Sequence, residues 1–242
     1  MTSSIHVVLK KEDIMSNQLT GKIAVVFDIL LATSTMATIL QEGGTSVIPV
    51  VNWQEAKEVS TRHPRSSILL AGEYKGRTLA GFLAPFPSEL KKEVKDKLVI
   101  LSTTNGTVAI NHSSQAKRLY AASLLNAQAV GQEILTNYNN ETIVLICSGS
   151  QGAFCLEDFY GAGYMIHCLL KHQSFRLTDA AKAAYLCYKS AEEDAYHMLC
   201  QSRLGKKLIQ YNYENEVSFV AQKSIYPVVP CWERGKIVNI NN

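Results

Sequence analysis

No two of the six cysteines form a CxxC pair; Cys147, Cys155, Cys168, Cys187, Cys200 and Cys231 stand singly. That scatter supplies neither a zinc-knuckle spacing nor the dense framework of a small secreted domain. It is the pattern of reduced, mostly buried thiols in a cytoplasmic protein. Long apolar runs are also missing. Ile23–Phe27 ends at Asp28 and Ile143–Cys147 ends at Ser148, far short of the ~20 apolar residues that span a bilayer. Met1–Leu9 carries no basic region followed by an apolar stretch and a small-residue cleavage site, so no secretory signal is expected. Clustered positive charge is absent too. With 24 Lys and Arg against 21 Asp and Glu, the net charge is only +3, which suits an anionic small molecule and excludes the basic footprint of a nucleic-acid binder. No repeat, low-complexity tract or linker interrupts the 242 residues, 47% hydrophobic and 19% charged. A single globular domain over residues 1–242 is expected, without membrane partners.

Familiar catalytic signatures are missing as well. Asp28 has no second acid two residues on, where Leu30 stands, so the two-aspartate phosphatase motif is incomplete. Six residues after Cys147 comes Ala153, where a cysteine phosphatase needs arginine. There is no GxxxxGK[ST] loop and no GxSxG elbow. Gly161-Ala-Gly163 begins like a dinucleotide fingerprint, but Ile166 breaks it and no strand precedes it. The six histidines show no HExxH spacing.

What is present is an alternation of short β-branched runs with segments of helical period. Ile23–Phe27, 45–50, 68–71, 98–101, 118–121 and Ile143–Cys147 read as strands, with Pro49 placing the second at a sheet edge or strand end. Helices are expected at 34–41, 52–62, 88–94, 108–115 and 127–137. Asn52 caps the second of these, with Glu55 three residues on and Pro64 beyond its end. From about residue 156 the pattern becomes helical, at 157–171, 179–190 and 192–201, and the tail at 226–229 and 236–240 returns to strand. Strands separated by helices, apolar throughout, indicate an α/β three-layer fold with a parallel or mixed sheet, a helical C-terminal portion and a non-standard strand order.

In such sheets ligands bind beyond the carboxyl ends of the strands. Four strands run into small polar sequence: Asp28 to Thr33, Ser34 and Thr35; Gly72-Glu73 to Gly76; Thr103-Thr104-Asn105-Gly106-Thr107; and, after Cys147, Ser148-Gly149. Parallel strands would bring all four to one edge, and two of the clusters open helices whose free N–H groups suit phosphate or sulfonate oxygens. Each cluster alone could be an ordinary turn or cap; four together favour a site. Asp28 is placed like a metal-binding or phosphatase carboxylate, although it could simply cap the helix that follows. Glu73 sits on a strand-end loop between glycines. Glu157 and Asp158 head a helix, where acids complement the dipole in any case. Cys147 is read as a site-lining thiol.

Taken in order, these clusters resemble the 2-phosphosulfolactate phosphatase family. The matching stretches are Val25–Leu30 with Ala32–Thr35, Gly72-Glu73, Gly81-Phe82, Thr103–Thr107, Ser123 with Asn126, and Cys147–Gly149 leading to Glu157-Asp158 and Ala162-Gly163. The resemblance covers roughly residues 20 to 235. It implies an Mg²⁺-dependent hydrolase converting 2-phospho-3-sulfolactate to 3-sulfolactate and phosphate, on a route to coenzyme M or to sulfolactate. Asp28, Glu73 and Asp158 would be catalytic, and Asp28, Glu157 and Asp158 would face the metal. Thr33–Thr35, Thr103–Thr107 and Cys147–Gly149 would bind substrate. Family members carry arginine where this chain has Leu31, an aspartate and a Gly-Asn-Ser-Pro turn where it has Leu83 to Ser88, and an aspartate where it has Glu216. Those departures keep open a phosphatase of a different phosphorylated hydroxy acid and an impaired relative that binds an anion; a nucleotide-dependent enzyme on a Rossmann-like sheet is a third, separate reading. Homo-oligomerisation is left open.

Overall fold

A computed structural model describes residues 3–241. The chain begins with β1 (Ser4–Val8), then β2 (Ile23–Phe27), α1 (Ala32–Gln41), β3 (Ser46–Val50), α2 (Trp53–Ser60), β4 (Ile68–Tyr74) and β5 (Arg77–Thr78). Next come the short α3 (Pro87–Leu90), β6 (Leu98–Ser102), α4 (Gly106–His112), β7 (Arg118–Ala122), α5 (Ala127–Asn137) and β8 (Ile143–Cys147). The remainder is mostly helical: α6 (Leu156–Leu170), β9 (Arg176–Leu177), α7 (Asp179–Ser190), α8 (Ala195–Gln201), α9 (Arg203–Gln210), α10 (Glu214–Val220), and a closing hairpin of β10 (Pro230–Glu233) and β11 (Lys236–Asn239). No helix among the described residues is long and apolar enough to cross a membrane.

The strands form one mixed sheet in the order β5-β4-β6-β3-β11-β10-β7-β2-β8-β1-β9. Two parallel sets, β4-β6-β3 and β7-β2-β8-β1, are joined by the antiparallel β10–β11 hairpin. The α/β three-layer expectation holds, with the mixed pairing as its outcome. Every residue of β2, β6 and β8 is buried because both faces are covered. Alternate residues serve different cores, as the period of two requires. Ile23, Val25 and Phe27 pack with α5, α6 and α7 residues, while Ala24 and Val26 pack with those of α1 and α4. Helix α1 touches β3, β7, β10 and β11, and α4 touches β2 and β3. The sheet therefore curves around these two helices and brings its two parallel sets toward one another.

Several sequence expectations change. Of the two readings of Pro49, the sheet edge fails because β3 is interior, while the strand end holds, Pro49 being the last residue but one of β3; β11 reaches β3 only at Ile237–Val47, two residues earlier, so the missing N–H of proline breaks no ladder there. The Pro49 carbonyl accepts a hydrogen bond from Asn111 Nδ2 at 2.9 Å. Residues 226–229 are not a strand; the hairpin starts at Pro230. The helix expected at 88–94 is a single turn behind Pro87. The helix expected from 192 starts at Ala195, where the Asp194 carboxylate accepts the His197 N–H at 2.9 Å. Strand β1 was not anticipated, since its polar start has no clear period; its register against β8 is what makes it a strand.

Candidate active site

Loops after β2, β4, β6 and β8 meet as the strand-end argument expects. Together with the 85–86 segment and the face of α9, they enclose a cavity of about 150 Å³. Asp28, Leu30, Leu31 and Ala32 come from the first loop. Glu73, Lys75 and Gly76 come from the β4–β5 hairpin, Thr103, Thr104 and Asn105 from the third loop, and Ser150 and Gln151 from the fourth. Glu73 is not on a loop: it belongs to β4 and pairs with Thr78 of β5.

The hydroxyls of Thr33, Ser34 and Thr35 were expected to face a ligand. All three residues are buried and outside the cavity lining. Thr33 Oγ1 donates to Asp28 O and accepts the Asp28 N–H, both at 3.0 Å, and Ser34 Oγ donates to Ile29 O at 2.8 Å. Thr35 Oγ1 lies 3.0 Å from Leu31 O and 2.7 Å from Pro85 O. Thr103 and Thr107 cap each other: the Thr107 N–H donates to Thr103 Oγ1 at 3.2 Å, and the Thr103 N–H donates to Thr107 Oγ1 at 3.1 Å. These hydroxyls hold the loops in shape. Gly106 is required for a close approach, because a side chain there would stand 2.7 Å from Asp28 Oδ2 and 2.5 Å from the Ala32 Cβ. Cys147 is also away from the cavity. It sits in the core shared with α5 and α6, where burial pushes its thiol well above the usual range.

Three buried carboxyls stand at the centre of these loops. Burial pushes Asp28 up to about 7, and the charges of Glu73 and Glu157 add to that; the N–H groups of Ala32 and Gly106 oppose it. Asp158 ties two loops together, accepting the Ile29 N–H at 2.9 Å and the Gly149 N–H at 3.0 Å. Its pKa is raised by burial first and then by Asp28 and Glu157. Glu157 is raised by burial against the help of its own backbone, Ser202, Cys155 and Arg203. Both of these acids lie behind the cavity wall. Glu73 accepts the Thr104 N–H and the Gly76 N–H, each at 2.6 Å, which fixes the hairpin against the β6 loop.

Sequence reasoning placed Lys75 in the second cluster without giving it a role, and missed the other cations. Lys75 and Lys207 line the cavity, and a side chain at Gly76 would meet the Lys207 ammonium at 3.0 Å. Lys11 donates to Asn105 Oδ1 at 2.9 Å, and its N–H donates to Ser148 O at 3.0 Å, bridging the third and fourth loops. Arg203 donates to Ser150 O at 2.9 Å. Leu204, Lys207, Leu208 and Tyr211 also line the cavity; their spacing of three and four on α9 was the available signal. Glu216 pairs with Ser88: it accepts both the Ser88 N–H, at 3.3 Å, and the Ser88 hydroxyl. Two departures noted separately in sequence are thus one contact between α10 and α3.

A divalent cation suits this donor set. No lysine, arginine or histidine among the described residues forms an ion pair with Asp28, Glu157 or Asp158, and only Arg203 eases the charge of Glu157 without touching it, so three buried acids share a region with little compensating charge. All the donors are oxygens, as Mg²⁺ prefers. Among the described residues no three His, Cys, Asp or Glu side chains form a ready ligand cluster. Of the three acids only Asp28 lines the cavity, so it is the carboxylate that could hold an ion there together with phosphate oxygens and water.

The chain is similar over nearly its whole length to proteins of one description. Residues 8–235 match the family model described as 2-phosphosulpholactate phosphatase. A protein of Clostridium perfringens (strain SM101) called a probable 2-phosphosulfolactate phosphatase is 38% identical, over 98% of this chain and 97% of its own. One of the same description from Clostridium beijerinckii is 34% identical over 96% and 98%, and one from Clostridium botulinum (strain Alaska E43) is 30% identical over 98% and 99%. A match across nearly the whole length, including every loop that builds the cavity, places this chain in the 2-phosphosulfolactate phosphatase family.

Proposed function

We propose that this protein is an Mg²⁺-dependent phosphatase acting on a 2-phosphorylated hydroxy acid, with 2-phospho-3-sulfolactate as the substrate its relatives' names suggest. The observation that carries the reading is the buried Asp28 carboxyl, without an ion-pair partner among the described residues, lining one cavity with Lys75 and Lys207. Asp28 would hold the ion, with Glu157 and Asp158 behind it supplying the negative field that attracts it. When bound, Mg²⁺ would offset charge on the phosphoryl oxygens. Lys75 and Lys207 attract the anion at the mouth. Asp158 and Glu73 hold the loops at fixed spacing, so the phosphate meets preorganised groups. Hydrolysis joins the oxygen of water to phosphorus, breaks the P–O bond to the alcohol, and releases the alcohol oxygen with one of the water's protons.

Purified protein is expected to release phosphate from 2-phospho-3-sulfolactate in Mg²⁺ and to lose that activity in EDTA, with recovery on re-addition of the metal. Full turnover in protein shown to be metal-free would exclude the metal role.

A further inference from the structure

We infer that the preferred substrate joins its phosphate to an apolar side group, so that the cavity takes phosphate esters of 2-hydroxy acids with an alkyl or aryl substituent. This rests on the phosphatase reading above and narrows it. The two ends of the cavity differ in chemistry. At one end the β4–β5 hairpin, the Thr104 loop and the Lys207 ammonium come together around Glu73. The lining cations are Lys75 and Lys207, the lining acids Asp28 and Glu73, and no arginine among the described residues lines the cavity.

The other end is an apolar wall. The Thr35 hydroxyl, within 3.0 Å of Leu31 O and 2.7 Å of Pro85 O, holds those two segments side by side. Phe86 follows Pro85, and its ring centre lies 4.4 Å from that of Tyr213. The Tyr213 N–H donates to Leu208 O at 2.9 Å, which joins α9 to the same wall. A sulfonate lodged against Leu31, Phe86 and Leu208 would lose hydration and gain no cation, a costly exchange. An isobutyl or phenyl group there would leave water for an apolar surface. Lys75 and Lys207 are the lining cations among the described residues; with the ion they serve a phosphate and a carboxylate, and no further cation lines the cavity for a third anion.

The test compares kcat/KM in Mg²⁺ for four esters: 2-phospholactate, 2-phospho-4-methylpentanoate, 2-phospho-3-phenylpropanoate and 2-phospho-3-sulfolactate. At least one of the two larger apolar esters is expected to exceed both 2-phospholactate and 2-phospho-3-sulfolactate by about tenfold or more, the scale of discrimination by added methylenes. Leu31→Arg should shift the ranking toward the sulfolactate ester by about tenfold or more, since charge-assisted hydrogen bonds discriminate on that scale. Equal or better wild-type turnover of the sulfolactate ester overturns the inference and leaves the phosphatase reading standing. Phosphate release from none of the four overturns both. The wild-type ranking decides the matter even if the arginine variant does not fold.

Discussion

Asp28 concentrates the chemistry of this molecule at one position. Its carboxyl is held up to about 7 by burial and by Glu73 and Glu157, against an ordinary value of 3.8. The folded protein therefore keeps a proton that the unfolded chain loses on the way from pH 4 to 7. A raised pKa contributes stability in acid that is lost as pH rises through the folded value. In metal-free protein, Asp28→Asn should gain stability relative to wild type by up to the order of 4 kcal/mol between pH 4 and pH 8, read from urea unfolding at each pH. Mg²⁺ at pH 8 should raise the Tm of wild type more than that of the variant. The same substitution should lower kcat by about 10² or more. Near-normal turnover together with a flat stability difference would reduce Asp28 to a cap of α1. That Asp28 would stand at the strand-end cavity was legible from its place at the end of an apolar strand. That Thr33–Thr35 would turn their hydroxyls toward Asp28, Ile29, Leu31 and Pro85 was not, because a hydroxyl's partner depends on which backbone comes near it.

Helix α6 shows how one element serves both packing and site. Its first turn carries Glu157 and Asp158, and its next turns cross neighbours too closely for side chains. A Cβ at Gly163 would stand 2.1 Å from the Ala184 carbonyl oxygen of α7, whereas one at Gly161 would meet the Cδ1 end of Ile29 at 2.6 Å. Backbone cannot give way as a side-chain tip can. Gly163→Ala is expected to cost about 1–3 kcal/mol or more, and Gly161→Ala less. Gly161→Ala should have the larger effect on kcat for its stability cost, since Ile29 adjoins Asp28. Denaturation midpoints and turnover of the two variants, measured side by side, check this; equal stability losses would contradict the packing argument. The ends of α5, α7 and β8 were readable from period and caps. The end of α8 at Gln201 was readable too, but α9 and α10 were not expected, since they are only about two turns each and only Ser202, which accepts the Gly205 N–H, caps one of them with its side chain.

Over the whole molecule, the β10–β11 hairpin joins the two parallel sets into one sheet. Ile237 is fully buried in the core between α1 and the sheet and forms the register pair with Val47. Ile237→Ala should cost about 2–5 kcal/mol, with an unchanged urea m-value if both halves still unfold as one unit; a second transition would mean that the halves are separable. By itself, the order of residues determined the α/β class, the run of buried strands and the polar clusters at their carboxyl ends, because hydrophobic period and turn chemistry are local. Only the tertiary structure decided that Lys207 and Lys11 join those clusters, that Glu157 and Asp158 stand behind the cavity wall, and that Leu31 shares an apolar end with Phe86 and Tyr213. Those relations depend on a sheet curved by a hairpin more than 200 residues after β2 begins. No local pattern encodes contacts made across such a distance.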